Sequence, residues 1–252
     1  MLGTTALMST SQAAPPEARA AALISTDWLA NHLSDVDLIL LHVGDEARFK
    51  TAHIPGARYL RQSDVSIDAA GRMLEMPTGP DLRKRLSALG IGDRSRIVVY
   101  YDEDWISPAT RIMLTLRTAG LGARAGLLDG GLAKWRRENR AVTVKLPPAT
   151  EPGALGPLRI KPTIVDAAFV RTHAGQKGYA LIDARAPVFY RGIQAGGPPG
   201  HQQRGHIPHA LSLPFTSIAN DDLTIKTPGQ LLALFRQAGV RPGDRAIVYC
   251  HI

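Results

Sequence analysis

The chain has 252 residues, 44% of them apolar and 21% charged, with a net charge of +8. That length suffices for two globular domains, each with its own core, and the composition is that of an ordinary globular protein. One cysteine excludes an intrachain disulfide. No apolar run is long enough to span a membrane, and the basic residues are scattered without interleaved aromatics, against nucleic-acid binding. The positive charge suits small anionic partners, although a merely Arg-rich globular protein accounts for it as simply.

Residues 1–20 are rich in Ala, Ser, Thr and Pro, without a basic start or a long apolar stretch, and read as a disordered tail rather than a signal peptide. Ser25-Thr26-Asp27 opens a short helix with hydroxyl and carboxylate caps. The run 38–43 is a buried strand, Asp81 opens a helix that Gly90 stops, 97–101 is a second buried strand, and 108–118 is helical. Leu127-Leu128 is a short strand, and 145–153, with Pro147, Pro148 and Pro152, is an extended linker. A second series follows: a helix near 163–173, a strand at 180–183, a helix at 228–238 and a strand at 246–250. Short continuous apolar strands alternating with helices predict an α/β fold with a mainly parallel sheet covered on both faces.

The second series repeats the first. Ala52-His53-Ile54-Pro55-Gly56-Ala57 follows the first strand, and Gly205-His206-Ile207-Pro208-His209-Ala210 follows its later counterpart. Gly90-Ile91 leads to Arg96–Tyr101 as Gly239-Val240 leads to Arg245–Cys250. His53 and His206 lie 153 residues apart and Tyr101 and Cys250 149, a drift that loop-length differences produce. So long a period marks a duplicated domain rather than a solenoid. The expected division is a tail (1–20), a first domain (21–144), a linker (145–161) and a second domain (162–252).

Leu181-Ile182-Asp183-Ala184-Arg185, both His-Ile-Pro motifs, Asp129-Gly130-Gly131 followed by Trp135, and strand-terminal Cys250 together resemble the tandem-domain rhodanese family of sulfurtransferases. The resemblance runs from about Thr26 over nearly the whole chain. It implies two tandem rhodanese-like domains, each a mainly parallel sheet flanked by helices. The first is inactive, with Tyr101-Asp102 standing where the second has Cys250-His251. Asp102 reads as a loop residue without chemistry. The family pattern continues past the cysteine into a loop and a helix. The second domain is therefore expected to be incomplete, the chain to be a fragment, and its turnover to be small.

Cys250 is the candidate catalytic residue. A thiolate, not a thiol, attacks sulfur, and backbone N–H groups in a strand-to-helix loop stabilise such an anion. Cys250 would take sulfur from a small anionic donor, thiosulfate or 3-mercaptopyruvate, as a persulfide. It would then pass the sulfur to a thiophilic acceptor, with no metal or organic cofactor. An inert core cysteine is the alternative.

Asp183 and Arg185, at a strand end where open parallel sheets place ligands, are a supporting carboxylate and a substrate-binding cation, or else a structural ion pair. His206 supports the site or only fixes its turn, as His53 must in the first copy. Arg191 is the second substrate-binding candidate. The family carries Arg just before the aromatic matching Tyr190, where this chain has Phe189, so a solvated Arg191 is the other reading. The insertion 192–203 is a flexible surface loop that shapes access or is simply tolerated. A non-catalytic rhodanese-type binding module is the competing function. A related phosphatase, which uses a longer cysteine loop ending in Arg, is the third and least favoured reading. The expected protein is a cytoplasmic monomer with no nucleic-acid or membrane partner.

Overall fold

The computed structural model describes residues 22–69, 72–102, 106–148, 151–197 and 202–250. The tail reading and His251 lie outside these residues. Leu38-Ile39-Leu40-Leu41-His42-Val43 forms β2 and Arg96-Ile97-Val98-Val99-Tyr100-Tyr101 forms β6, paired in parallel from Leu38 against Arg96 to Val43 against Tyr101. With β1 (Leu23–Ile24), β3 (Arg58–Tyr59) and β7 (Ala125–Leu128) they make a parallel sheet ordered β1-β7-β6-β2-β3.

Successive residues point to opposite faces, and both faces are dry. Ile39, Leu41, Val43, Ile97, Val99 and Tyr101 enter one core cluster, while Leu40, Val98 and Tyr100 enter the other. Leu82 and Leu86 of α3 (Gly79–Ala88) and Ile112 and Leu116 of α4 (Ser107–Thr118) close the first face. Leu29 of α1 (Thr26–His32), Phe49 of α2 (Glu46–Thr51) and Trp135 of α5 (Gly131–Arg137) close the second. Each such fully buried aliphatic side chain stabilises the fold by about 1.5–3 kcal/mol.

The second domain repeats the plan with a parallel sheet ordered β10-β8-β9, from β8 (Tyr179–Asp183), β9 (Leu211–Ser212) and β10 (Arg245–Tyr249). Leu181, Ala210 and Ile247 form its core with Phe169 and Val170 of α6 (Ala167–His173) and Tyr190 of α7 (Pro187–Tyr190). Thr78 caps α3 and Thr227 caps α8 (Pro228–Gln237), each hydroxyl accepting from the amide three residues on and each followed by a first-turn proline. Val248 of β10 is 59% exposed, whereas Val99, its counterpart on β6, is fully buried. Among the described residues nothing takes the places on β10 that β7 and α4 take on β6.

The helix expected near 163–173 starts only at Ala167. Asp166 supplies the cap, its carboxylate accepting the Phe169 amide at 2.8 Å. The Thr163 hydroxyl is instead engaged with the Thr118 hydroxyl of the first domain. The connection before it is extended and lies against that domain. The Gly153 amide donates to Ser87 O (2.8 Å), the Asp93 amide to Ala154 O (3.0 Å) and the Lys161 amide to Thr118 O (2.7 Å), and Leu155 is buried in the first core.

A hairpin of β4 (Ile67–Ala69) and β5 (Arg72–Glu75) leads into α3, and a tighter turn bridged by Ala219 and Ile225 leads into α8. Each turn holds a left-handed leucine, Leu74 (φ 57°) and Leu223 (φ 66°), four residues before the capping threonine. The second turn docks on the first domain. Tyr101 Oη donates to Leu223 O (2.7 Å), the Ile225 amide donates to Asp129 Oδ1 (2.8 Å), and Arg137 Nη2 reaches Asp222 O (3.2 Å). Leu223, Ile225 and Phe215 pack on the first domain's core.

Candidate active site

Strand register aligns the two copies residue by residue. The partner of Tyr100 on β2 is His42, and the partner of Tyr249 on β8 is Asp183. One residue on, Tyr101 stands where the second domain has Cys250. Two residues past His42, Gly44 stands where the second domain has Arg185.

In the second domain Asp183 is fully buried and accepts from four donors. Arg185 meets it with Nε (2.9 Å) and Nη2 (2.6 Å) and with its own amide (3.0 Å), and Tyr249 Oη donates at 2.8 Å. Burial pushes the Asp183 carboxyl up, but the Arg185 side chain and amide and the Tyr249 hydroxyl outweigh it and hold the group below the usual carboxylate range. Burial likewise pushes the Tyr249 phenol up to about 12, so it stays a donor at neutral pH. Arg185 Nη2 also donates to Gly205 O (2.7 Å), and the guanidinium lies over the Tyr249 ring at 5.5 Å. Asp183 and Arg185 therefore form a buried ion pair at the strand end.

The first domain fills the same place differently. His42 Nε2 approaches Asp102 Oδ1 at 3.2 Å, both groups buried, though off the hydrogen-bonding direction. Asp102 Oδ2 accepts the Asp45 amide at 2.9 Å. Burial raises the Asp102 carboxyl, while His42 and the Asp45 amide more than reverse this and leave it below the ordinary value. Asp102 is thus no idle loop residue, because it closes the strand end and tethers the start of α2. A side chain at Gly44 would collide with the Asp102 carboxylate. Gly44→Ala is expected to lower stability by about 1–3 kcal/mol, the usual range for overpacking. A thermal melt that left the midpoint unmoved would contradict this packing.

The histidines of both His-Ile-Pro turns do the same work. The Nδ1–H of His53 donates to Phe49 O (2.7 Å) with the rings stacked at 4.1 Å, and that of His206 donates to Tyr190 O (2.8 Å) with stacking at 3.8 Å. Tyr100 Oη accepts the Ile54 amide (3.2 Å) and Tyr249 Oη the Ile207 amide (3.1 Å). His206 therefore fixes its turn, as His53 does in the domain without a cysteine. Arg191 lies apart from the cluster, exposed at the end of α7, with Nε 3.4 Å from Pro187 O. The insertion closes on itself through a Gly196–Gln203 bridge, and Arg204 Nη1 donates to Gly192 O (3.0 Å) and Ile193 O (2.6 Å). Its residues 198–201 lie outside the description.

Cys250 follows Tyr249 directly, exposed, at the sheet edge that holds Asp183 and Arg185. The structure thus brings Asp183, Arg185 and Tyr249 into one network next to Cys250, sets His206 in the turn whose Gly205 and Ile207 backbone groups meet that network, and leaves Arg191 outside it. Sequence reading missed Tyr249. The signal was present, since a tyrosine ends the apolar strand in both copies. Among the described residues no group of three His, Cys, Asp or Glu side chains could hold a metal, and no helix is long and apolar enough to cross a membrane.

The family model for the rhodanese-like domain matches residues 25–138 and 166–252. The sulfur carrier protein TtuD of Thermus thermophilus is 30% identical over 241 residues, covering 91% of this chain and 82% of that protein. The 3-mercaptopyruvate sulfurtransferase of Escherichia coli K12 is 28% identical over 240 residues, covering 90% and 83%. The crystal structure of SseA from Escherichia coli shares the fold with a TM-score of 0.78 at 24% identity, over 90% of this chain and 87% of that one. With the family model matched in both halves and relatives at 30% identity along most of its length, the chain belongs to the rhodanese-like family as a tandem-domain sulfurtransferase.

Proposed function

We propose that Cys250 carries sulfane sulfur from thiosulfate or 3-mercaptopyruvate to a thiophilic acceptor. The observation that carries the reading is the exposed thiol at the strand end where the first copy has a fully buried tyrosine. Arg185 beside it and the net charge of +8 suit an anionic donor. The named activities of the relatives point the same way.

With thiosulfate, the Cys250 thiolate attacks the outer sulfur, the donor's S–S bond breaks, and sulfite leaves with the bonding pair. With 3-mercaptopyruvate the C–S bond breaks instead, and the pyruvate enolate takes up a proton. Cyanide or an acceptor thiolate then attacks the outer persulfide sulfur and releases the Cys250 thiolate. Arg185, whose guanidinium lies over the ring of Tyr249 just before Cys250, is the first proposed donor-binding cation, and the exposed Arg191 is the second. The same reading takes the protein as a cytoplasmic monomer without nucleic-acid or membrane partners.

Intact mass after incubation with thiosulfate tests this. The expected product is the chain plus one sulfur atom, with the added mass removed by cyanide. A chain that folds but takes up no sulfur from either donor is instead the non-catalytic binding module, a reading favoured by the substituted first site at Tyr101 and Asp102.

A further inference from the structure

A tyrosine stands one residue before Cys250 and, in the first copy, one residue before Tyr101. Both phenols accept an amide of the His-Ile-Pro turn, Tyr100 from Ile54 and Tyr249 from Ile207. A bond made in both copies serves the fold. The Tyr249 hydroxyl makes a second one, which Tyr100 lacks among the described residues: it donates to Asp183 Oδ2 at 2.8 Å.

That bond closes a ring. Asp183 Oδ2 also takes Arg185 Nη2 (2.6 Å), Nη2 donates onward to Gly205 O (2.7 Å), and two residues further Ile207 returns its amide to Tyr249 (3.1 Å). The Ala184 amide, between the two charged residues, donates to Tyr249 O at 2.9 Å. One phenol thus joins the strand that leads to the thiol, the strand that carries the ion pair and the His-Ile-Pro turn. In the first copy the ring is open. Gly44 replaces the arginine, and His42, in the place of Asp183, has no hydrogen-bond partner.

The ring also decides which charge faces outward. The Asp183 side chain has no exposed surface, whereas that of Arg185 keeps 10%. Four donors, the phenol among them, disperse the charge of the carboxylate. The field at the strand end is then that of the cation, which lies over the Tyr249 ring at 5.5 Å. A cation held at a fixed offset from a nucleophile orients an anion for attack.

Resting on the sulfurtransferase reading, we infer that Tyr249 is a positioning residue for sulfur transfer: its hydroxyl holds Asp183, and through it aims the Arg185 guanidinium at the anionic end of the donor beside Cys250. The phenol neither touches the donor nor moves a proton. Burial keeps it protonated, so the ring stays closed across the neutral range.

The test compares Tyr249→Phe with Tyr100→Phe in the full chain. Both lose the shared amide contact, and only the first opens the ring. Two quantities are measured at constant ionic strength. One is the thiosulfate concentration that half-saturates the rate of persulfide loading. The other is the sulfate concentration that half-protects Cys250 from iodoacetamide. Sulfate carries the donor's charge but has no sulfane sulfur to give. Tyr249→Phe should raise both concentrations about three- to tenfold, one hydrogen bond read as affinity, and keep the loading rate at saturation. Tyr100→Phe should lower the melting temperature and leave both concentrations unchanged. Equal shifts in the two variants, or none in Tyr249→Phe, overturn the inference, as does a parent that sulfate fails to protect. If Tyr249→Phe does not fold, a fluorinated tyrosine at position 249 decides the matter. It keeps the ring and ionises at lower pH than tyrosine. Sulfate protection should match the parent's while its hydroxyl is protonated and fail once it ionises. Protection that outlasts the ionisation, followed by phenolate absorbance, overturns the inference. Loading from thiosulfate without dependence on Tyr249 sinks the positioning role and leaves the sulfurtransferase reading standing. Sulfate protection that depends on Tyr249, in a chain that never loads sulfur, does the reverse.

Discussion

Cys250→Ser takes no sulfur from thiosulfate or 3-mercaptopyruvate and forms thiocyanate from cyanide only at the rate of buffer alone. A serine hydroxyl is not ionised at neutral pH and offers no sulfur to share in a persulfide bond. The fold should be unaffected, because the side chain is exposed and makes no described contact. The unfolding free energy should stay within about 0.5 kcal/mol of the parent, as for an ordinary surface substitution. Loss of loading with an unchanged melt then assigns the chemistry to the thiol itself.

The companion variant asks whether any cysteine at that strand end would do. Tyr101→Cys placed in the Cys250→Ser background should not restore loading. Residue 101 is fully buried, the Leu223 turn is docked over it, and the ionised Asp102 follows it. Burial and a neighbouring negative charge both raise a thiol's pKa, and the same charge repels an anionic donor. Thiocyanate release by the double variant at a rate near the parent's would show that the site needs only a cysteine and would undo the contrast drawn between the two domains.

The plan of both domains could be read from the chain because two physical signals were strong. Runs such as Leu38–Val43 and Arg96–Tyr101 are apolar on successive residues because helices cover both sheet faces. The paired His-Ile-Pro turns mark where each chain copy folds back onto its sheet. What could not be read depends on register and on backbone hand. Asp102 looked idle because its partner His42 lies sixty residues away and only the parallel pairing of β2 with β6 brings them together. For Asp183 and Arg185 the chain did not foretell the buried network that Tyr249 and Gly205 make around them. The left-handed turns gave no warning, since leucine rather than glycine occupies both. Nor did the prolines of the connecting segment reveal that it binds along α3 and α4 rather than hanging free.

Asp183→Ala is expected to have the largest effect on stability of any single change beside the site. The carboxylate is fully buried, and its partner's side chain keeps only 10% of its surface in contact with water. Removing one member of such a pair leaves an uncompensated charge, typically at a cost of about 3–5 kcal/mol. The low end applies here because Gly205 O remains on Arg185. Removing both partners should cost less than removing the aspartate alone, since the stranded cation disappears. Asp183→Ala/Arg185→Ala should therefore unfold at a higher urea concentration than Asp183→Ala. Tyr249→Phe, which removes one donor to the carboxylate and the acceptor of the Ile207 amide, should cost about 1 kcal/mol.

The pH dependence has a definite sign. The folded-state pKa of Asp183 is depressed, so the pair's contribution is fully present above the unfolded value of about 3.9 and is lost as pH falls through the folded value. Parent and Asp183→Ala should accordingly converge in stability below about pH 4 and differ most near neutrality. Urea midpoints that differ by the same amount at pH 3 and pH 7, or a double variant weaker than Asp183→Ala, would mean that the carboxylate does not hold this strand end by its charge.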